Sequence, residues 1–124
     1  CKKKRICFIQ LISPTTSSYR MKNIIKDSHE MIYYISMLST TGGKLKISPK
    51  TILKKYYKVK RIASKKNCVI GFGITKKTIS SFKKSDGVVV GSAVCKEITK
   101  SLKKRQNPVT NVSNIVKKLK NKII

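Results

Sequence analysis

The sequence predicts an α/β fold built from successive strand–helix units with parallel strands. Three observations carry that prediction. Four short apolar runs, at residues 6–12, 31–37, 67–70 and 87–90, alternate with stretches of helical character. The first of them, Ile6-Cys7-Phe8-Ile9-Gln10-Leu11-Ile12, is nearly continuous in apolar residues, the pattern of a strand buried on both faces. The last two runs each lead into glycine, at Gly71-Phe72-Gly73-Ile74 and at Gly91-Ser92-Ala93.

Taken in order, Pro14 ends the first run, and Ser17 or Ser18 is placed to cap a helix reaching about His29, with Met21, Ile24 and Ile25 inward. Residues 31–37 form the second strand. Ser39-Thr40-Thr41-Gly42-Gly43 then reads as a small, polar loop of the kind that closes over ligands. Ser48 before Pro49 is an N-cap followed by proline at the first helical position. That helix runs to about Ile62 and buries Ile52, Leu53, Tyr56 and Val59. After the third strand, residues 75–83 read as a short helix. Gly91-Ser92 opens another, ending near Leu102. Pro108 breaks the chain, and Thr110 or Asn111 caps a last helix with Val112, Ile115, Val116 and Leu119 on one face.

Asp86-Gly87-Val88-Val89-Val90-Gly91-Ser92-Ala93 carries the most chemistry. A strand feeding a helix N-terminus presents free N–H groups and the positive end of the helix dipole, both of which favour an anion. Glycine lets the backbone come close to a ligand, and Ser92 adds a hydroxyl. With the glycine-rich turn at 71–73 one strand earlier, this is the layout of the phosphate site after the last two strands of a (β/α)8 barrel. Such a barrel needs ~250 residues, so these 124 residues supply about half of one, as a single domain without an internal boundary. The start at Cys1 rather than Met fits a fragment or a processed product.

Thirty Lys and Arg stand against four acids, Asp27, Glu30, Asp86 and Glu97, for a formal charge of +26. A nucleic-acid binder would carry such a charge. Here the basic residues are scattered over every predicted helix, with no basic-aromatic stacking motif, and alanine occurs only at Ala63 and Ala93. AT-rich coding bias explains the set better, and points to a plastid or a bacterial symbiont. The four cysteines show no metal-like pairing. Cys7, Cys68 and Cys95 read as small buried residues in a reducing compartment. No signal peptide is recognised, and no apolar run approaches the ~20 residues that span a bilayer.

Four blocks together resemble one family. Phe8-Ile9-Gln10-Leu11-Ile12-Ser13-Pro14-Thr15-Thr16 is similar to the fifth strand of the tryptophan synthase alpha chain family, a (β/α)8 barrel. Tyr33-Tyr34-Ile35-Ser36 with Thr41-Gly42 resembles its sixth strand and mobile loop. Gly71-Phe72-Gly73-Ile74 and residues 86–93 resemble its seventh and eighth strand ends. The resemblance implies that the chain supplies strands five to eight, the C-terminal half. It implies retro-aldol cleavage of indole-3-glycerol phosphate to indole and glyceraldehyde 3-phosphate. It also implies a beta-chain partner in an alpha2-beta2 tetramer; pyridoxal phosphate belongs to that partner, and the alpha chain needs no cofactor or metal.

By position, Gly42, Phe72, Gly73, Gly91 and Ser92 would bind the substrate phosphate. Leu11, Tyr33, Phe72 and Val89 would line the indole pocket, and Thr41 would assist loop closure. Met37 stands where some members carry Arg, and Leu38-Ser39-Thr40 replaces a more usual small-Gly-Val run. The family's catalytic Glu and Asp come from the part of the barrel before this segment, and none of the four acids here matches them. The resemblance therefore implies an inactive segment of an active lyase, located in plastid stroma or a bacterial-type cytoplasm, with no nucleic acid and no membrane. Two other readings remain: a half-barrel that holds phosphate compounds without chemistry, and a basic nucleic-acid-binding module.

Overall fold

The computed structural model describes residues 4, 6–36 and 48–124. Strands β1 (Gln10–Ile12), β2 (Met31–Ile35), β3 (Asn67–Gly71) and β4 (Gly87–Val89) form one sheet in chain order, and every neighbouring pair is parallel. Helices α1 (Ser18–Asp27) and α2 (Pro49–Ile62) follow β1 and β2, and α3 (Ser92–Lys103) follows β4 directly. A helix α4 (Pro108–Lys120) packs back on α3.

The two faces of the sheet differ because side chains alternate along each strand. Ile12, Ile32, Tyr34, Cys68 and Ile70 point to one face and are almost completely buried, together with Ile25 of α1 and Ile52, Tyr56 and Val59 of α2. The register aligns them as rows, with Ile12 beside Tyr34 and Tyr34 beside Ile70. Leu11, Tyr33, Val69 and Val89 point the other way, to a face that no described helix covers. Leu11 is 56% exposed and Val89 40%. A parallel sheet with one bare apolar face is half of a two-sided arrangement.

That geometry corrects the first strand. A strand over residues 6–12 buried on both faces is not what forms: pairing is confined to Gln10–Ile12, and Ile6, Phe8, Ile9 and Leu11 are exposed. β1 lies at the sheet edge, so only β2 supports it among the described residues. Cys7 and Cys95 are exposed rather than buried, and Cys68 alone of the described cysteines sits in the core. Cys7 precedes the paired part of β1.

Ser17 caps α1 through its Oγ, 3.3 Å from the Arg20 N–H, and Ser48 caps α2 at 3.2 Å from Thr51 N, with Pro49 in the first turn. Both caps agree with the sequence reading, although Leu53 is only half-buried. The expected helix at 75–83 is instead a 3-10 turn, Ile79–Phe82. Thr75 and Thr78 take each other's backbone N–H groups at 3.0 and 3.3 Å, which competes with α-helical pairing. Ile79 and Phe82, three residues apart, are both buried, which suits the tighter helix. Pro108 starts α4 rather than ending structure. Asn107 is the cap, its Oδ1 accepting from Val109 N at 2.9 Å, in place of Thr110 or Asn111. Ile115 and Leu119 are buried, while Val116 is exposed. Ser101 is fully buried where α4 crosses α3, and its Oγ accepts from Asn111 Nδ2 at 3.0 Å.

Candidate functional site

The C-terminal ends of β3 and β4 lie side by side. Gly71 pairs with Val89, so two residues further along each strand stand Gly73 and Gly91. Beyond β3 the chain turns sharply: Phe72 has φ 74° and Gly73 φ 68°. Glycine takes that left-handed conformation freely, whereas for phenylalanine it costs roughly 1–2 kcal/mol. The carbonyls of the turn are held from β2. Buried Ser36 donates from N to the Gly71 carbonyl at 3.0 Å and from Oγ to the same oxygen at 2.9 Å, and Oγ also contacts the Phe72 carbonyl. The sequence reading quoted Ser36 and gave it no role.

Gly91 is the N-cap of α3. Its carbonyl accepts from Val94 N at 2.9 Å and Cys95 N at 3.1 Å, and no side chain among the described residues caps this helix. The N–H groups of Ser92 and Ala93 therefore have no acceptor from the helix itself. Gly91 has φ −95°, which any residue adopts, and a Cβ there would meet nothing within 4 Å. Nothing among the described residues requires glycine at this position.

Tyr33 lies over Gly71: a Cβ on Gly71 would overlap the phenol oxygen and Cζ, with Cε1 at 2.7 Å. Burial pushes the Tyr33 phenol above its ordinary pKa. Leu11, Tyr33 and Val89 share the uncovered face, and Phe72 is half-exposed just past β3. Leu11 and Ile35 also floor a cavity of about 400 Å³ whose rim carries Ser13, Thr15 and Arg20. Gly91 and Ser92 are not among the residues that line that cavity. Thr41 and Gly42 lie outside the described residues.

The opposite end of the sheet is closed by charge. Asp86 Oδ2 accepts from Lys60 Nζ at 2.7 Å and from Cys68 N at 2.8 Å, and Asp86 N donates to the Tyr56 hydroxyl at 3.0 Å. Burial pushes the Asp86 carboxyl up, but hydrogen bonds from Lys60 and Cys68 N and the Lys60 charge outweigh it, so it stays below its ordinary pKa. Burial pushes Cys68 and Tyr56 up to about 12. Lys66 Nζ donates to the Ser28 carbonyl at 2.7 Å and contacts that of Ile25, closing the C-terminal end of α1. Asp27 ends α1, Glu30 precedes β2, and Glu97 sits within α3. None of the four acids belongs to the turns at 71–73 and 91–93. Among the described residues there is no cluster of three or more metal-binding side chains, and no helix is long and apolar enough to cross a membrane.

Comparison with known proteins agrees with this architecture. The family model described as tryptophan synthase alpha chain matches residues 1–124. The alpha chain of Pelagibacter ubique is 72% identical over 99% of this chain, and that of Aquifex aeolicus 37% identical over 96%. The chain spans 46% and 44% of those proteins, a little under half their length. Among solved structures, the alpha subunit from Legionella pneumophila aligns with a TM-score of 0.80 at 26% identity, covering 98% of this chain and 44% of that one. A chain from the structure of the Pyrococcus furiosus tryptophan synthase a2b2 complex aligns with a TM-score of 0.69 at 28% identity, covering 95% of this chain and 46% of that one. The four parallel strands are therefore part of a (β/α)8 barrel. Both sequence relatives are bacterial and lend the plastid expectation no support.

Proposed function

The chain belongs to the tryptophan synthase alpha chain family, and from that premise we propose that it supplies the phosphate-binding C-terminal half of a lyase barrel. The reaction is the retro-aldol cleavage of indole-3-glycerol phosphate to indole and glyceraldehyde 3-phosphate. One observation carries the reading: two glycine-bearing strand ends lie adjacent, one in a left-handed turn and the other at the uncapped start of a twelve-residue helix. N–H groups without a partner among the described residues and a helix dipole converge there, and a side chain at Gly91 would meet no described atom where an anion needs room.

The substrate phosphate lies against Gly73, Gly91 and Ser92, with Phe72 contributing backbone. The family resemblance adds Gly42 to the phosphate contacts and Thr41 as an aid to closure, both outside the described residues. The indole ring lies on the uncovered face along Leu11, Tyr33, Phe72 and Val89. The retro-aldol step needs an acid at the indole ring carbon, a base for the glycerol hydroxyl and a carboxylate near the indole nitrogen. No carboxylate of this chain stands at the glycine edge, so those groups come from the first half of the barrel. That half also covers the bare sheet face. The protein works in a bacterial cytoplasm, needs no cofactor of its own, and passes indole to a beta chain as part of an alpha2-beta2 tetramer.

Indole release measures this directly. Residues 1–124 alone should form no indole from indole-3-glycerol phosphate, and should aggregate or self-associate through the uncovered face. The same residues joined to a family N-terminal half should form indole. Indole release by the segment alone would refute the assignment of the chemistry to the other half. An inactive, well-folded whole barrel that still bound the substrate would favour a phosphate-binding protein without chemistry.

A further inference from the structure

We propose that Ser36 is the positioning residue of the phosphate site, setting the direction of the N–H groups in the turn after β3; this rests on the phosphate reading above. Ser36 is 2% exposed and sits one residue past the end of β2. Its N–H and hydroxyl converge on the Gly71 carbonyl, and the hydroxyl also reaches the Phe72 carbonyl. Two successive carbonyls thus point at one side chain on the neighbouring strand. No described peptide bond is cis, and in a trans peptide the N–H points opposite the carbonyl. Fixing the Phe72 carbonyl toward β2 therefore turns the Gly73 N–H away from β2, out of the turn.

The turn has a reason to need such a clamp. Phe72 occupies a left-handed conformation that a phenylalanine disfavours, and rotating the Gly71–Phe72 peptide, which resets the φ of Phe72, would relieve it. The same rotation would swing the Gly71 carbonyl to where the Phe72 N–H stood, and an anion would then meet oxygen. Ser36 opposes that rotation because its N–H and its hydroxyl both hold the Gly71 carbonyl of that peptide. Serine suits the position sterically: the site is closed to solvent, and a hydroxyl on one carbon reaches both oxygens. Ser36 itself touches no substrate in this account. It acts through the backbone of residues 71–73.

The test uses the full-length barrel carrying this segment and two ligands that differ only in phosphate, an indole-alkyl phosphate and the matching indole-alkyl alcohol. Wild type should prefer the phosphate. Ser36→Ala should weaken the phosphate ligand about 10-fold and leave the alcohol within about 2-fold. Ser36→Cys, close in size with a weaker donor, should fall between. In turnover the loss should appear in KM for indole-3-glycerol phosphate more than in kcat. Equal losses for both ligands, no loss for either, or failure of both variants to fold would make Ser36 a packing residue and overturn the proposal. A wild-type barrel without preference for the phosphate would remove the phosphate site itself, and this role with it.

Discussion

The two ends of the sheet are built by opposite means. At the N-terminal end, Asp86 collects Lys60, the Cys68 N–H and, through its own N–H, the Tyr56 hydroxyl, while Lys66 closes α1. Every one of those polar groups has a partner within the chain. At the C-terminal end the chain leaves Ser92 and Ala93 N–H groups without helical acceptors, holds Phe72 and Gly73 in a left-handed turn, and keeps glycine at 91 where no described residue requires it. One end spends its polar groups on itself and the other holds them out. In (β/α)8 barrels stability is read at the first end and chemistry at the second. The comparison is sharpest where a substitution changes one property and leaves the other alone.

The largest effect belongs to Gly91→Asp in the full-length protein. A carboxylate beside a bound dianion adds repulsion in a partly shielded site, and its side chain occupies the ligand's space. Affinity for an indole-alkyl phosphate should fall at least about 100-fold, as read by calorimetric titration. The thermal midpoint should move by no more than a few degrees, because a Cβ at Gly91 meets nothing within 4 Å. Retained affinity would move the phosphate elsewhere.

Ser92→Ala removes one hydroxyl donor to a charged acceptor, roughly 1.5–3 kcal/mol. That corresponds to about 10- to 150-fold weaker binding at 1.4 kcal/mol per decade. The same titration should find it clearly weaker than wild type and stronger than Gly91→Asp. Inversion of that order would contradict the proposed geometry.

Asp86→Ala should do the reverse. It removes two hydrogen bonds to a carboxylate whose side chain is a quarter exposed, so solvent screening limits the loss to about 1–2 kcal/mol. Ligand affinity should not change. The folded-state pKa of Asp86 is depressed, so its contribution is fully present above the unfolded value of ~3.9 and is lost as pH falls through the folded value. Denaturant midpoints of wild type and variant, well apart at pH 7, should converge in that acid range. A gap that persists in strong acid would show that packing, not charge, sustains it.

The smallest effect is chemical. Burial pushes the Cys68 thiol up to about 12, and Cys68 is fully buried, while Cys7 and Cys95 are exposed. Maleimide labelling of the folded full-length protein should modify Cys7 and Cys95 first and Cys68 only on unfolding. Mass mapping that finds Cys68 among the first modified would mean that this end of the sheet opens readily.

The helix caps at Ser17, Ser48 and Pro49 and both glycine-bearing strand ends were legible because each is a local signal, a residue type at a fixed offset. The first strand was misjudged because the run 6–12 is apolar throughout, and an apolar run does not reveal that a sheet edge leaves most of it unpaired. Hydroxyl-to-backbone bonds at Thr75 and Thr78 shortened a helix that hydrophobic spacing alone suggested. Ser36 and Lys60 escaped notice for different reasons. A lone serine after a strand looks like any strand end, and Lys60 is one of 30 basic residues whose partner lies 26 positions away. The uncovered face was legible only through length: 124 residues cannot close an eight-stranded barrel.

A structure of the full-length protein with an indole-alkyl phosphate bound tests the central claim most directly. The account predicts phosphate oxygens about 3 Å from Gly73 N, Ser92 N and Ser92 Oγ, with the indole ring on the face formed by Leu11, Tyr33 and Val89. A phosphate seated instead beside Arg20, in the cavity lined by Leu11, Ser13 and Ile35, would contradict it.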